Sequence, residues 1–473
     1  MNEKKTLEKT IVELLGHQPT EDQASLISKL ADFTFSEDKY PAFILKGYAG
    51  TGKTTVIGAY IKALKSVKKF SVLMAPTGRA AKVLSTKSDK SASTIHRRIY
   101  FAGADEEGVV KVTLAPNKIK NTVFIVDEAS MIADYALQND GSISRNLLSD
   151  LLNYCFMGEN NRLIFIGDIA QLPPVGSDES PALQLSYFEH HYPKLTLDDI
   201  NLKQVVRQQE QSGILFNATL IRDAQAKEEM PKLQFKQFKD VIDVQGDELL
   251  AEIESCYDNY GSDEVMIVTR SNKRAVLYNQ NIRNRILYME DELCGGELLM
   301  VVKNNYFWID PTSDAGFIAN GELVRVHRLK RIEELYGIRF ATIEVSLIDY
   351  PGMDRFEVLA FMDCLASETP NLDRTFMKTL FFEIEKDFYH IKNKKKRYKE
   401  VMQSPYFNAL QVKYAYAITC HKAQGGQWSA VFVDHGFVDE EQQDLSFLRW
   451  LYTATTRATE KLYFVGLMDE LKE

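Results

Sequence analysis

The sequence predicts an α/β protein built on parallel sheets, and three observations carry that prediction. Runs of four or five apolar residues recur, each followed by a polar or glycine-rich turn and then a helical pattern. One such turn, Gly47-Tyr48-Ala49-Gly50-Thr51-Gly52-Lys53-Thr54, fits G-x-x-x-x-G-K-[ST] and lies between a strand and a helix. The rhythm breaks from roughly Asp291 to Asn408, where short alternating strands take over.

The chain has 473 residues, 45% of them hydrophobic, enough for several packed domains. Its 66 acidic and 57 basic residues leave a net charge of −9. That balance excludes indiscriminate coating of a polyanion by the whole surface, but it leaves local basic grooves open. The five cysteines, Cys155, Cys256, Cys294, Cys364 and Cys420, are scattered without a C-x-x-C pair, so they indicate neither zinc nor a disulfide framework. No secretory segment and no apolar run of about 18 residues occurs, so an intracellular protein without membrane contact is expected.

In chain order, Leu7, Ile11, Leu14 and Leu15 share one helical face, and Leu26, Ile27 and Leu30 another, with Thr20 placed to cap the second helix. Gln23, in its first turn, carries an amide that can pair with the N6/N7 edge of adenine. Ala42-Phe43-Ile44-Leu45 reads as a buried strand, and Thr55 to Ile61 opens a helix. Between them, Gly47, Gly50, Thr51, Gly52 and Thr55 would aim backbone N–H groups at phosphate oxygens. Lys53 would reach the β- and γ-phosphates, and the Thr54 hydroxyl would ligate Mg²⁺.

Ser71 to Ala75 is the next strand, stopped by Pro76, with Thr77 and Gly78 where a helix begins. Ser93, Thr94, Ile95 and His96 follow. Val123-Phe124-Ile125-Val126 ends in two carboxylates. Asp127 would hold Mg²⁺ through water, and Glu128 would orient or deprotonate an attacking water. Leu163 to Ile166 leads to Gly167-Asp168-Ile169-Ala170-Gln171-Leu172-Pro173-Pro174, whose stiff prolines direct a loop bearing Gln171.

The series GYAGTGKTT, APTGRAAKVL, STIH, VDEASM and GDIAQLPPVG resembles motifs I, Ia, Ib, II and III of superfamily 1 helicases, most closely the 5′→3′ branch of RecD-like and Dda-like enzymes. Gln204 to Gln208 resembles motif IV, Ala417 to Gly425 motif V, and Leu451 to Ala458 motif VI. The resemblance implies two RecA-like parallel-sheet lobes with a small β-hairpin insertion and an SH3-like β-barrel insertion. The first lobe would take 1–96 and 121–208, and the hairpin 97–120. The second lobe would take 209–290 and 409–473, and the barrel with a helical extension 291–408.

The resemblance also implies roles. Lys53, Glu128, Gln171, Arg207 and Arg457 would carry catalysis, the two arginines approaching the γ-phosphate from motifs IV and VI. Gln23, the glycine-rich loop, Gln424 and Gly425 would bind ATP, while Thr54 and Asp127 would hold Mg²⁺. Pro76, Thr77, Gly78, Thr94, His96, Asn320, Thr419 and His421 would face single-stranded DNA. Residues 100–114 carry a hairpin signal, and Tyr100 and Phe101 would form a pin at the fork. The basic cluster Lys392 to Lys399 reads equally as a DNA-facing ridge or a solvated helix end.

The expected activity is ATP-driven 5′→3′ translocation on single-stranded DNA with unwinding of duplex, in repair, replication or recombination. A translocase that strips bound proteins and an RNA helicase are the alternatives. The partners expected are single-stranded DNA and a fork, with the chain a monomer or weakly self-associating. The expected setting is a bacterial or phage-like cytoplasm, close to the nucleoid.

Overall fold

The computed structural model describes residues 3–104, 110–134, 146–206, 212–310, 313 and 315–473, and the side chains of these except 102–104, 110–112 and 374. Its first part runs α1 (Glu3–Leu15), α2 (Glu21–Thr34), β1 (Pro41–Gly47), α3 (Lys53–Ala63), β2 (Phe70–Ala75), α4 (Gly78–Ser88), β3 (Ala92–Thr94) and α5 (Ile95–Ile99). It continues through β4 (Tyr100–Ala104), β5 (Val110–Leu114), β6 (Thr122–Val126), α6 (Leu147–Phe156), β7 (Arg162–Gly167), α7 (Leu185–His191) and β8 (Thr196–Leu202).

Six of these strands make one parallel sheet in the order β3-β2-β6-β7-β1-β8. Its strands read as unbroken apolar runs because helices cover both faces. Phe43, Leu45, Val123, Ile125, Ile164 and Ile166 point into the layer shared with α1, α2 and α3. Their chain neighbours Ile44, Phe124, Val126, Leu163 and Phe165 point into the layer shared with α6. Each such buried side chain contributes roughly 1.5–3 kcal/mol. Thr20 caps α2 through a reciprocal capping box with Gln23. Leu14 departs from the expected face: it is exposed, while Leu7, Ile11 and Leu15 are buried.

A second parallel sheet, β16-β10-β17-β18-β9, uses β9 (Val241–Val244), β10 (Val265–Thr269), β16 (Ala417–Thr419), β17 (Trp428–Asp434) and β18 (Ala458–Val465). Its helices are α8 (Gly213–Lys227), α9 (Leu249–Tyr260), α10 (Asn272–Arg285), α13 (Cys420–Ala423) and α14 (Leu445–Thr455). Asn279 serves this packing. Its amide oxygen accepts the N–H of Ala417 and its nitrogen donates to the Ala417 carbonyl, both at 2.9 Å, which ties α10 to β16.

Between the two halves of that lobe lie β11 (Leu298–Val301), β12 (Leu323–Leu335), β13 (Ile338–Leu347), β14 (Phe356–Phe361), α11 (Arg374–Asp387), α12 (Lys394–Met402) and β15 (Val412–Tyr414). The strands form an antiparallel sheet, β14-β13-β12-β11-β15, with register shifts in β12 that bend it. Leu380, Ile384 and Val401 of the two helices close a separate core on Phe340 and Phe361. Val412–Tyr414 pairs with β11, so the parallel sheet resumes at Ala417. With only three residues, Val412, Lys413 and Tyr414, that strand carries too short a pattern to name its sheet, and its pairing partner reveals it.

Within the basic cluster, Arg397 is held inward by Glu385 at 2.7 Å, and Lys394 lies over the Tyr398 ring. All five cysteines are free thiols. Among the described residues there is no helix long and apolar enough to cross a membrane, and no cluster of three or more His, Cys, Asp or Glu side chains that could hold a metal.

Candidate nucleotide cleft and nucleic-acid face

In an open parallel sheet, ligands sit beyond the carboxyl ends of the strands. Gly47, Ala75, Val126 and Gly167 all end there. The loop after β1 turns through Gly50 and Gly52, at φ +76° and +79°, and α3 starts without a side-chain cap. Its first N–H groups are therefore left for an anion. The φ at Gly52 favours glycine, and a methyl there would stand 2.5 Å from the Gln23 amide nitrogen and push that side chain aside.

Lys53 folds back on this loop, donating to the carbonyls of Gly47 at 2.6 Å and Tyr48 at 2.9 Å. Thr54 is half-buried and Thr55 exposed in the first turn of α3. Gln23 is 1% exposed, with both ends of its amide engaged: it donates to Thr51 O at 3.2 Å and accepts the N–H of Thr20 at 3.2 Å. It braces the loop, and reading an adenine edge would require it to release those bonds.

At the end of β6, Asp127 donates its N–H to Met74 O at 3.0 Å and accepts the N–H of Glu128 at 2.9 Å. Glu128 itself is left-handed, at φ 53°. Such a conformation costs about 1–3 kcal/mol and is kept where the surroundings impose it. Burial raises the pKa of both carboxyls. Against that, Lys53 lowers both, Arg457 lowers Glu128, and the charge of Asp168 raises it. Lys53, Arg457 and Asp168 thus all act on one carboxylate.

Arg457 is 3% exposed and held by three bonds, to Thr453 O, Gly426 O and Thr456 Oγ1, at 3.0, 3.2 and 3.1 Å. Arg207 lies outside the described residues. Val206, just before it, donates its N–H to Gly50 O at 3.0 Å. Gln171 is 7% exposed, and its amide oxygen is buried without a hydrogen-bond partner.

The loop around Gln171 is bonded from the second lobe. Thr453 Oγ1 accepts the N–H of Leu172 at 2.8 Å, Gln424 donates to Leu172 O at 2.7 Å, and Gln225 donates to Ala170 O at 3.0 Å. Gln424 therefore meets the Gln171 loop. Gly425, at φ +73°, abuts α4, where a methyl would stand 2.8 Å from Ala80 Cβ and 3.1 Å from Thr77 Oγ1.

On the other face, Pro76 is half-buried, and Thr77 and Thr94 accept the N–H groups of Ala80 and Arg97 as helix caps. Each hydroxyl keeps its proton to donate. Gly78 is buried against Glu322, whose carboxylate would meet a methyl there at 2.8 Å. Burial pulls the His96 pKa down to about 4, so the ring is neutral near pH 7. Asn320 is exposed and accepts from Lys422 at 2.6 Å; Thr419 is half-buried and His421 exposed. Thr77, Arg79, Gly321, Lys422, Gln424 and Trp428 line one small cavity where both lobes and the antiparallel sheet meet.

The hairpin β4–β5 forms, with Tyr100 opposite Leu114 and Phe101 opposite Thr113. Tyr100 donates to Asp150 at 2.8 Å, whereas Phe101 is 61% exposed. Sequence reasoning missed Gln225, and it gave Tyr452 and Thr453, within the motif VI segment, no role of their own. Each sits in a helix, α8 or α14, where a single polar side chain carries no periodic signal.

Fold and site together define a P-loop protein whose cleft lies between two parallel-sheet lobes. The AAA domain family matches residues 34–177, and the UvrD-like helicase C-terminal domain matches 414–465. The ATP-dependent DNA helicase dda of Enterobacteria phage T4 is 29% identical over 299 residues, covering 60% of this chain and 62% of its own length. The ATP-dependent RecD2 DNA helicase of Deinococcus radiodurans is 31% identical over 196 residues, covering 41% of this chain and 23% of its own. The chain thus spans less than two thirds of either relative. A solved Pif1 helicase from Bacteroides, in complex with ADP-AlF3 and single-stranded DNA, aligns over 97% of this chain and 95% of its own, at TM-score 0.49 and 15% identity. Over these stretches the chain is similar to helicases of superfamily 1B.

Proposed function

We propose that this chain is an ATP-dependent DNA helicase that moves 5′→3′ on single-stranded DNA and separates an adjoining duplex. One observation supports this most: a single loop, Asp168 to Gly176, borders the nucleotide cleft and is bonded on both its Leu172 N–H and C=O by the second lobe. Nucleotide-dependent closure of the lobes would therefore be felt by the strand lying across them. The two parallel-sheet units act as the motor lobes, 97–120 as the fork hairpin, and 291–408 as an SH3-like barrel with its helical extension. The relatives named as DNA helicases support the choice of substrate.

In this reading Lys53 and the α3 N–H groups hold the phosphates, and Glu128 orients and deprotonates water. Arg457 and Arg207 spread the developing charge, and Gln171 reports the γ-phosphate. Mg²⁺ fits the donor set: Asp127 and Glu128 are adjacent buried carboxyls, and Asp127 has one oxygen beyond its Glu128 bond. Thr54 and Asp127 would hold the ion, which would neutralise phosphate charge when bound. Pro76, Thr77, Gly78, Thr94, His96, Asn320, Thr419 and His421 line the strand path.

The test compares ATPase rates with no nucleic acid, single-stranded DNA and RNA, and then displacement from 5′-tailed and 3′-tailed duplexes. DNA-stimulated turnover with 5′-tailed displacement is expected. Stimulation by RNA alone, or displacement of the 3′-tailed substrate only, would overturn it.

A further inference from the structure

Tyr452, in α14, is 1% exposed. Its hydroxyl, however, stands between two groups of the first lobe. It accepts the N–H of Ala49, within the glycine-rich loop, at 2.9 Å, and it donates to Oδ2 of Asp168 at 2.7 Å. Asp168 is 2% exposed and receives the N–H of Ala170 on its other oxygen at 2.9 Å. One second-lobe side chain thus bonds the phosphate loop and the first residue of the Gln171 loop at once.

The chemistry suits a fixed relay. A buried carboxylate needs donors on both oxygens, and a phenol supplies one as a charge-assisted bond. Burial and the Asp168 charge hold the phenol pKa well above its usual range, so the hydroxyl keeps its proton and its direction. Arg222 lies 4.6 Å over the ring of Tyr48, next to Ala49, and adds a second tie from the same lobe. Separation of the lobes by an ångström or two breaks both Tyr452 bonds together. It strands the Ala49 N–H and leaves Asp168 with a single donor, so the contact is all-or-none.

We propose that Tyr452 is a positioning residue for nucleotide hydrolysis, whose hydroxyl registers the seating of the second lobe and passes it to the phosphate loop through Ala49 and to the Gln171 loop through Asp168. This rests on the ATPase reading given above. Asp168 also acts on Glu128 through its charge, so the relay ends at the group that activates water. Turnover, and not nucleotide affinity, then depends on the hydroxyl.

The experiment uses the full chain and its Tyr452→Phe, Asp168→Asn and double variants. It reads kcat and KM for ATP at saturating oligo(dT), together with thermal melting. Tyr452→Phe keeps the ring and should lower kcat about 10-fold with KM changed less than about 2-fold. Asp168→Asn should lose a similar factor, and the double variant should be no slower than the slower single one. A wild-type kcat in Tyr452→Phe, a loss confined to KM, or multiplicative losses in the double variant would each overturn the inference. If Tyr452→Phe fails to melt cooperatively, Asp168→Asn carries the same test of kcat against KM. A wild-type chain with no DNA-stimulated ATPase overturns the functional reading itself, before any variant is compared.

Discussion

The guanidinium carbon of Arg79, at the start of α4, lies 4.1 Å from the ring centre of Trp428, at the start of β17, and Arg79 donates to Gln427 O at 2.7 Å. This cation–π contact joins the first lobe to the second. A lysine can keep the charge but neither the stack nor the fork. Arg79→Lys should therefore destabilise the joined lobes by about 1–2 kcal/mol, read as a lower urea midpoint. A midpoint equal to wild type would show that the stack contributes nothing.

Removing the charges of the cleft should separate binding from turnover. Lys53→Ala should abolish hydrolysis, because the loop loses its one ammonium. Glu128→Gln should keep nucleotide binding and slow turnover at least ~100-fold. Arg457→Ala and Arg207→Ala should each cost roughly 10³ in turnover with DNA affinity nearly unchanged. Steady-state ATPase beside a fluorescent-nucleotide titration checks all four. Normal hydrolysis by Glu128→Gln would remove that residue from the reaction.

Glu322, buried against Gly78, has its pKa pushed up to about 8 by burial, with Asp349 adding to the rise and the Ala319 N–H and Arg97 opposing it. The unfolded side chain titrates near 4.3. Between those values the folded chain holds a proton that the unfolded chain has released. Stability from this group is full below about pH 4.3 and is lost as pH rises through about 8. Glu322→Gln should flatten the stability profile over that window. Parallel wild-type and variant profiles, from denaturant melts at pH 5, 6, 7 and about 8, would contradict it.

The hairpin should serve unwinding and nothing upstream of it. Phe101 is exposed on β4, while Tyr100 is anchored to Asp150 on α6, so Phe101 is the side chain free to meet a base pair. Phe101→Ala, and replacement of Phe101 to Pro116 by a glycine–serine linker, should preserve DNA-stimulated ATPase and largely remove strand displacement. A stopped-flow displacement assay at the wild-type rate by the truncated chain would assign strand separation elsewhere.

Much of this molecule follows from local chemistry, and that part was legible. The runs Phe43 to Leu45, Val123 to Val126 and Leu163 to Ile166 had to be strands covered on both faces, because every residue in them is apolar. The turn at Gly50 and Gly52 and the cap at Thr20 are likewise short-range, set by φ and by one side-chain bond. Lys53, Asp127 and Glu128 could be named because their spacing from those strands is itself the signal.

Tertiary structure alone decided which helices lend polar atoms across the cleft. Gln225 looks like an ordinary helix residue, and motif VI alone gives Tyr452 and Thr453 no partner; their value comes from loops hundreds of positions away or on another lobe. It also decided that Gln23 braces the phosphate loop, that Leu14 faces solvent, and that Val412–Tyr414 joins the antiparallel sheet. The reason is the range of the forces. Backbone geometry and burial pattern act within a few residues and are written in the order of side chains. A hydrogen bond between lobes depends on where two rigid bodies come to rest, and no window of sequence contains both partners.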